Sequence, residues 1–149
     1  MPPSRPRHRG RKFCKDRGAA YSLDSIFPVG YIQIVADVLF TGEFETWWDS
    51  LSVEEQDSID RVVWMLAEDG PALRFPYSSK IESSAYSHMR ELRIQYQGRP
   101  YRVLYAFNPH RNALLLIGGD KTGNDRWYEV FVPIADRLYK EHLKELEES

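Results

Sequence analysis

Residues 89–123 read MRELRIQYQGRPYRVLYAFNPHRNALLLIGGDKTG, and this stretch decides the fold that the sequence predicts. It contains three apolar segments, 89–96, 101–107 and 113–117, separated by turn-rich breaks at 97–100 and 108–112. Short segments rich in Val, Ile, Leu and Tyr, joined by breaks with Gly, Pro and Asn, are typical of consecutive antiparallel strands. The stretch therefore predicts a three-stranded antiparallel meander.

The region before this stretch alternates between strand and helix signals. Residues 33–40 are rich in Ile, Val, Leu and Phe and predict an N-terminal strand that ends at Thr41-Gly42. Aromatic and apolar residues at i, i+3, i+4 and i+7 over 44–51 predict a short helix. Ser52-Val53-Glu54-Glu55 matches a capping box and opens a second helix, which we expect to stop at Gly70-Pro71. The two helices are predicted to form a hairpin.

The remaining segments complete an α+β arrangement. Residues 71–87 hold two prolines and five serines, and we expect irregular structure there. Residues 125–148 have helical periodicity, although Pro133 should start, kink or break that helix. The predicted order is N-terminal strand, helical hairpin, three-stranded meander and C-terminal helix, with helices packed against an antiparallel sheet.

Length and composition indicate one folded domain with a tail. A chain of 149 residues fits one domain with a core of its own. Residues 1–28 are rich in Pro, Arg, Gly and Ser and lack an apolar period, so we predict a flexible basic tail there and a folded domain over 29–149.

Several classes of protein are disfavoured by composition. Cys14 is the sole cysteine, and the four histidines lack the spacing of a zinc site. Neither a signal peptide nor a bilayer-spanning segment is recognisable, because polar residues and Pro28 interrupt the apolar stretch 26–40. We therefore expect a reduced, cytoplasmic protein that does not enter the membrane, holds no metal and needs no cofactor.

Charge is strongly segregated along the chain. Residues 1–17 carry +6, residues 41–69 carry -8 and residues 86–126 carry +4, with His taken as neutral. A basic segment that also contains Tyr and Trp is typical of a nucleic-acid surface, whereas phosphate should repel the acidic helices. Two ordinary solvated faces would give the same pattern.

Taken together, motifs spread over about residues 31–146 resemble the HigB-like branch of the RelE/ParE toxins. They are FETWWDSL at 44–51, MRELR at 89–93, GRPYRVLYAF at 98–107, LLLIGGDKTG at 114–123, WYE at 127–129 and IADRLY at 134–139. Each motif is weak alone, but their order and spacing are fairly specific.

The resemblance implies a toxin of a type II toxin-antitoxin system. On this interpretation the chain is a metal-independent endoribonuclease that cleaves mRNA in the ribosomal A site, and a helix-turn-helix antitoxin silences it in a hetero-oligomer. An alternative is a non-enzymatic ParE-like inhibitor of DNA gyrase, since fold does not fix chemistry. A small RNA-binding module without toxicity is a third hypothesis.

The resemblance and the chemistry of RNA cleavage together nominate three catalytic residues. Attack by a 2'-hydroxyl needs a base, cations for the phosphate and an acid for the leaving oxygen. Arg102 matches a strand arginine that contacts phosphate in RelE-like nucleases, Lys121 a second basic position, and Tyr128 an aromatic that stacks on or deprotonates the substrate. Their alternatives are an exposed strand arginine, a loop lysine and a core tyrosine.

Five further residues are candidates for RNA binding. They are His88, Arg90, Arg93, Arg99 and Arg126. Arg93 could instead pair with Glu91. His88 could be a general acid or base, since imidazoles titrate near neutral pH, or a structural histidine at a strand edge. The basic segment lacks an acidic cluster that would hold magnesium.

Overall fold

The computed structural model describes residues 34–148. The strands are β1 (Val38–Phe40), β2 (Ser78–Lys80), β3 (Arg90–Tyr96), β4 (Arg99–Phe107) and β5 (Ala113–Asp120); the helices are α1 (Gly42–Asp49), α2 (Val53–Asp69) and α3 (Trp127–Glu148). A short 3-10 turn, Gly70–Ala72, follows α2. The predicted tail, 1–28, lies outside the described residues.

The five strands form a single sheet in the order β1-β5-β4-β3-β2. Strands β3, β4 and β5 pair in antiparallel fashion, which confirms the predicted meander, and β1 adds parallel to β5. The turn between β3 and β4 needs only Gln97 and Gly98, both with positive φ (50° and 79°). Two such residues match the twist of a tight hairpin, and glycine adopts this conformation without strain.

Both faces of the sheet are covered by helices, so the chain has two apolar layers. Helices α1 and α2 lie on one face, against β5 and β3, while α3 lies on the other, against β4 and β5. Buried residues of the first layer include Val38, Phe40, Leu92, Ile94, Val103 and Leu115. Those of the second include Leu39, Met89, Leu104, Ala106 and Leu114. Successive side chains of a strand alternate between these layers. The α+β class is confirmed.

A β-bulge interrupts this alternation in β5. Leu104 pairs with Ile117, but its neighbour Tyr105 pairs with Leu115, so Leu116 is an extra residue without a partner on β4. Leu116 and Ile117 consequently both contact the α3 layer. The bulge therefore reverses the facing of every later residue of β5.

The two glycines after the bulge allow aromatic rings to contact the strand. A Cβ on Gly118 would lie 2.2 Å from the Trp47 ring, and one on Gly119 would lie 2.7 Å from Trp127 Nε1. Neither separation is compatible with a side chain larger than hydrogen. Trp47 of α1 and Trp127 of α3 thus pack on opposite faces of the same short segment.

Side-chain caps fix where α1 and α2 begin. The Thr41 hydroxyl accepts from the Phe44 amide at 3.0 Å. The predicted capping box is confirmed, because Ser52 Oγ accepts from the Glu55 amide (3.1 Å) and Glu55 Oε1 accepts from the Ser52 amide (2.7 Å). Each cap stabilises its helix by about 1 kcal/mol.

The first strand and the segment 71–87 both differ from the predictions. The first strand was expected over 33–40, but within the described part of that range it is only three residues long, because the amides of Val35 and Ala36 both donate to Ala67 at the end of α2. Residues 71–87 were expected to be irregular, yet Ser78–Lys80 pairs with β3 as an edge strand. That strand has no apolar residue to signal it.

The C-terminal helix also differs from expectation. Pro133 neither starts nor breaks α3, which runs unbroken from Trp127 to Glu148. Pro133 has no amide hydrogen to donate to the carbonyl of Glu129, four residues earlier, and both residues are exposed. Water can therefore satisfy that carbonyl. No helix within 34–148 has the length and apolar character needed to cross a membrane.

Candidate active site

A buried carboxylate on β3 organises the surface between the sheet and the start of α3. Glu91 is only 4% exposed. Its Oε1 accepts from the Tyr128 hydroxyl at 2.6 Å, and its Oε2 accepts from Ser79 Oγ at 2.6 Å and Arg93 Nη1 at 3.2 Å. Arg102 Nε lies 3.5 Å from Oε1 as an ion pair. We call these five residues the Glu91 cluster.

The two arginines of the cluster differ in access to solvent. Arg93 and Arg102 are directly opposite each other on β3 and β4, and Glu91 contacts both. The Arg93 side chain is 30% exposed and its guanidinium lies 5.0 Å from the centre of the Phe75 ring, whereas the Arg102 side chain is 7% exposed. Arg93 therefore presents the more accessible charge, although Arg102 was the predicted phosphate ligand.

Arg102 is held by buried contacts. Its Nη1 donates to the Tyr101 carbonyl at 3.0 Å. Its Nε makes an ion pair with Glu91 at 3.5 Å but has no hydrogen-bond partner among the described residues. A buried guanidinium with a single counter-charge depends strongly on that carboxylate. The predicted alternative of an exposed strand arginine is wrong.

Tyr128, in the first turn of α3, is a neutral donor. Burial raises the pKa of its phenol, and the hydrogen bond to Glu91 raises it further, while Arg102 opposes the shift. The phenol consequently stays protonated at neutral pH. A role in stacking or hydrogen-bond donation fits this state better than a role as a base.

Lys121 lies on a fixed turn after β5. Its backbone amide donates to the Pro100 carbonyl at 3.0 Å, and Asp120 Oδ1 accepts from the amide (2.9 Å) and hydroxyl (2.5 Å) of Thr122. Its Nζ lies 5.6 Å from the centre of the Tyr128 ring, and no residue of the described chain forms an ion pair with it. The backbone of Lys121 is thus held by the turn, while its ammonium contacts the Tyr128 ring and remains open to an anion.

The structure brings all three predicted catalytic residues to one place. Arg102 and Tyr128 both contact Glu91, and Lys121 contacts the ring of Tyr128. Glu91 was not predicted as a site residue. Its position two residues before Arg93, on the same face of the strand, is the signal that could have found it. A phosphate group can be bound and oriented by two cations, Arg102 and Lys121, and a neutral phenol beside a buried carboxylate.

Two of the predicted RNA-binding arginines lie on the opposite face of the sheet. Arg90 Nε donates to Ser78 Oγ at 2.9 Å, and Ser78 hydrogen-bonds to the buried Tyr105 in the α1 and α2 layer. Arg99 makes a cation-π contact with Tyr101, whose ring also lies in the α1 and α2 layer. The basic segment 86–126 is therefore divided between the two faces instead of forming one surface.

Two other RNA-binding candidates, His88 and Arg126, bond to residues outside the Glu91 cluster. The Tyr139 hydroxyl donates to the Phe107 carbonyl (2.7 Å), so His88 Nε2 must donate to that hydroxyl (2.9 Å). Phe107 ends β4, about 17 Å along the strand from Arg102. Arg126 is exposed just before α3 and pairs with Glu129 at 2.8 Å. The contact with Tyr139 fits the structural alternative for His88.

A second cluster of similar composition lies on the α2 side of the sheet. Tyr101 donates a short hydrogen bond to Glu55, and Arg99 bridges Glu55 (3.5 Å) and Asp120 (3.4 Å). The hydrogen bond from Tyr101 lowers the pKa of Glu55, and the bond from the Ser52 amide lowers it further. Burial raises the pKa of Tyr101, and its hydrogen bond to Glu55 raises it further. We call Glu55, Arg99, Tyr101 and Asp120 the Glu55 cluster.

Within the described residues, no group of three or more His, Cys, Asp or Glu side chains could hold a metal ion.

Comparison with known proteins gives consistent results. The profile of a family described as phage derived protein Gp49-like (DUF891) matches residues 46–140. HigB3 of Mycobacterium tuberculosis, named as a toxin, is 39% identical over 101 residues, covering 67% of this chain and 87% of that protein. HigB2 of the same organism, also named as a toxin, is 35% identical over 105 residues, covering 69% of this chain and 52% of that protein. No solved structure matches.

Proposed function

Because this chain belongs to the Gp49-like family and is a HigB-like toxin of a toxin-antitoxin system, we propose that it cleaves mRNA on the ribosome. Its relatives imply an antitoxin partner, which we take to be a helix-turn-helix protein. Cleavage uses no metal ion, and it inhibits translation. The observation that carries this proposal is the convergence of Lys121, Arg102 and Tyr128 at the Glu91 cluster.

The reaction that fits these groups is attack of a ribose 2'-hydroxyl oxygen on the adjacent phosphorus, with the hydroxyl proton passing to water. The bond from phosphorus to the 5'-oxygen breaks, that oxygen takes a proton from water as it leaves, and a 2',3'-cyclic phosphate remains. The phosphate carries extra negative charge in the transition state. Lys121 and the accessible Arg93 are placed to stabilise that charge, and Arg102 adds a buried positive charge behind them. Tyr128 offers its neutral ring to a base of the mRNA beside Lys121.

Glu91 acts in this scheme as a positioning residue. It holds the Tyr128 hydroxyl and both guanidinium groups through its two oxygens, so each is oriented before substrate arrives. Orientation fixed in advance lowers the cost of reaching the transition state. The carboxylate also compensates the buried charge of Arg102.

The test compares two lysine variants in a ribosome cleavage assay and in growing cells. Lys121→Ala should slow cleavage by about 100-fold or more, as expected for loss of one transition-state cation, and should relieve growth arrest. Lys140→Ala, on the exposed side of α3, is the matched control and should stay toxic. Growth arrest with DNA breaks and intact transcripts would replace this proposal with the gyrase alternative.

A further inference from the structure

One end of β5 has an open edge. Strand β1 pairs only with residues 113–115, because the chain turns away at Thr41, whose amide and hydroxyl bond to the carbonyls of Leu115 (3.1 Å) and Leu116 (2.7 Å). Residues 117–120 pair with β4 on one side, and no strand of the described chain lies on the other. A strand edge without a partner can accept another strand.

A groove of about 600 Å³ runs along this edge. Trp47 of α1 lines one side, Trp127 and Phe131 of α3 line the other, and Gly118 and Gly119 lie between them. Both glycines are buried, so their unpaired backbone edge is recessed between the rings that flank it. Trp127 Nε1 is a buried donor with no hydrogen-bond partner in the described part of the chain.

Charge decides what kind of partner fits the groove. Its charged lining residues are Glu43 and Asp120, both acidic, and no Lys or Arg lines it. Glu43 is exposed, whereas Asp120 is held by Arg99 and Thr122. Phosphates would be repelled by this lining, which disfavours RNA. A peptide with a basic side chain is complementary to it.

We propose that an extended segment of the antitoxin adds to β5 along residues 117–120 and places a Lys or Arg against Glu43. Backbone hydrogen bonds would supply affinity, and side chains on alternate sides would contact Trp47 and Trp127. This inference depends on the chain being a toxin with an antitoxin, but not on its nuclease activity.

The proposed site adjoins the Glu91 cluster without covering it. Trp127 of the groove is followed directly by Tyr128 of the cluster, and Asn124 of the groove belongs to the same turn as Lys121. A strand bound at the edge would therefore contact the segment that carries two of the three catalytic candidates. Its added bulk would lie beside the surface that must meet mRNA.

The experiment uses, as its probe, the antitoxin protein that restores growth when it is expressed together with this chain. Hydrogen exchange should slow at the amides of residues 117–120 when the antitoxin binds. Glu43→Lys should weaken binding about tenfold or more. Glu54→Lys is the matched control, because both glutamates lie in the first turn of a helix, and it should leave affinity within about twofold.

Binding is measured with the Lys121→Ala variant, so that cleavage and antitoxin binding are separated. Unchanged exchange at 117–120, or equal affinities for the Glu43→Lys and Glu54→Lys variants, overturns the proposed site. Protection of the edge by a single-stranded oligoribonucleotide, with tighter binding to Glu43→Lys, would assign the groove to RNA instead. Suppose that the wild-type chain binds the antitoxin at this edge but, when assayed without the antitoxin, leaves mRNA intact. That result would refute only the nuclease proposal.

Discussion

The Glu91 and Glu55 clusters are built from the same residue types on opposite faces of one sheet. Each has a carboxylate that accepts a hydrogen bond from a tyrosine hydroxyl and forms an ion pair with an arginine. They even draw on adjacent residues of β4, since Tyr101 belongs to one and Arg102 to the other. Their burial differs, because the Arg102 side chain is 7% exposed and that of Arg99 is 41% exposed.

This difference in burial separates the proposed active site from a cluster that stabilises the fold. In the Glu91 cluster, Glu91 and Arg102 are shielded from water, so each depends on the other, and Lys121 adds a cation without an ionic partner in the described chain. In the Glu55 cluster the arginine is solvated and Glu55 also caps α2, so the contacts join the start of that helix to the sheet. Residue type alone would not distinguish the two roles.

The largest contrast is expected from removing each carboxylate charge. Glu91→Gln should destabilise the fold by about 3–5 kcal/mol, because Arg102 is left buried without a counter-charge. Glu55→Gln should cost only about 1 kcal/mol, because its partner Arg99 remains solvated. Urea unfolding measures both, with Glu54→Gln as an exposed control. Equal costs for the two variants would mean that burial does not separate the clusters.

Removing the hydroxyl of Tyr128 should change the cleavage rate, whereas removing that of Tyr101 should change the pKa of Glu55. Tyr128→Phe keeps the ring but loses the hydrogen bond by which Glu91 orients it, so ribosome-dependent cleavage should slow by about tenfold, the equivalent of one hydrogen bond. Tyr101→Phe should leave the rate within about twofold. Instead it should raise the pKa of Glu55 toward its ordinary value, because the Tyr101 hydroxyl is the main cause of its lowered pKa. Kinetics and NMR titration provide the readouts; a Tyr101→Phe variant as slow as Tyr128→Phe would contradict the assignment.

Alkaline pH should weaken the fold through these tyrosines. Burial raises the pKa of Tyr101, Tyr105, Tyr128 and Tyr139. Unfolded tyrosines lose their protons at about pH 10, whereas the folded ones keep them to higher pH. Above pH 10 the unfolded chain therefore binds fewer protons, and stability falls as pH rises; below it these groups add no slope. Unfolding free energies at pH 9 and 11 should show a smaller drop for Tyr101→Phe than for the parent, and an unchanged drop would be inconsistent with its raised pKa.

The smallest effect should come from the solvated arginine. Arg99→Ala should cost less than about 1 kcal/mol, because an arginine with 41% of its side chain exposed gains little from ion pairs. Cleavage should stay within about threefold of the parent, with Lys140→Ala measured alongside as an exposed reference. A loss comparable to that of Lys121→Ala would show that the Glu55 cluster belongs to the site.

Much of the fold followed from local patterns, and the errors have local causes. The meander and the capping box are strong signals, because apolar periodicity and Ser-x-x-Glu spacing reflect contacts made within or between neighbouring elements. Strand β2 consists of Ser78-Ser79-Lys80 and forms only because β3 offers an edge to it. The last strand was expected to end at Ile117 but continues to Asp120, because packing of tryptophans makes Gly118-Gly119 a strand instead of a turn.

The site was predicted only in part for a different reason. Family resemblance nominated Arg102, Lys121 and Tyr128, and the fold places them together. Counting charge over a segment, however, treats all residues of a strand as one surface. Alternation sends Arg90 and Arg99 to the far face, and it brings the acidic Glu91 between the arginines of the near one.

The bulge at Leu116 determines which face of the sheet each later residue of β5 occupies. If Leu116 were instead paired as an ordinary strand residue, simple alternation would exchange the faces of Gly118 and Gly119 and turn Asp120 toward the Glu91 cluster. An additional carboxylate would then lie among the cations of the proposed active site. Deleting Leu116 should not have this effect, because Leu115 would still pair with Tyr105 and Ile117 with Leu104, so every later residue would keep its face. The face that each of these residues occupies is therefore set by one unpaired position, and a substitution that drew Leu116 into the ladder would disturb the site more than its removal.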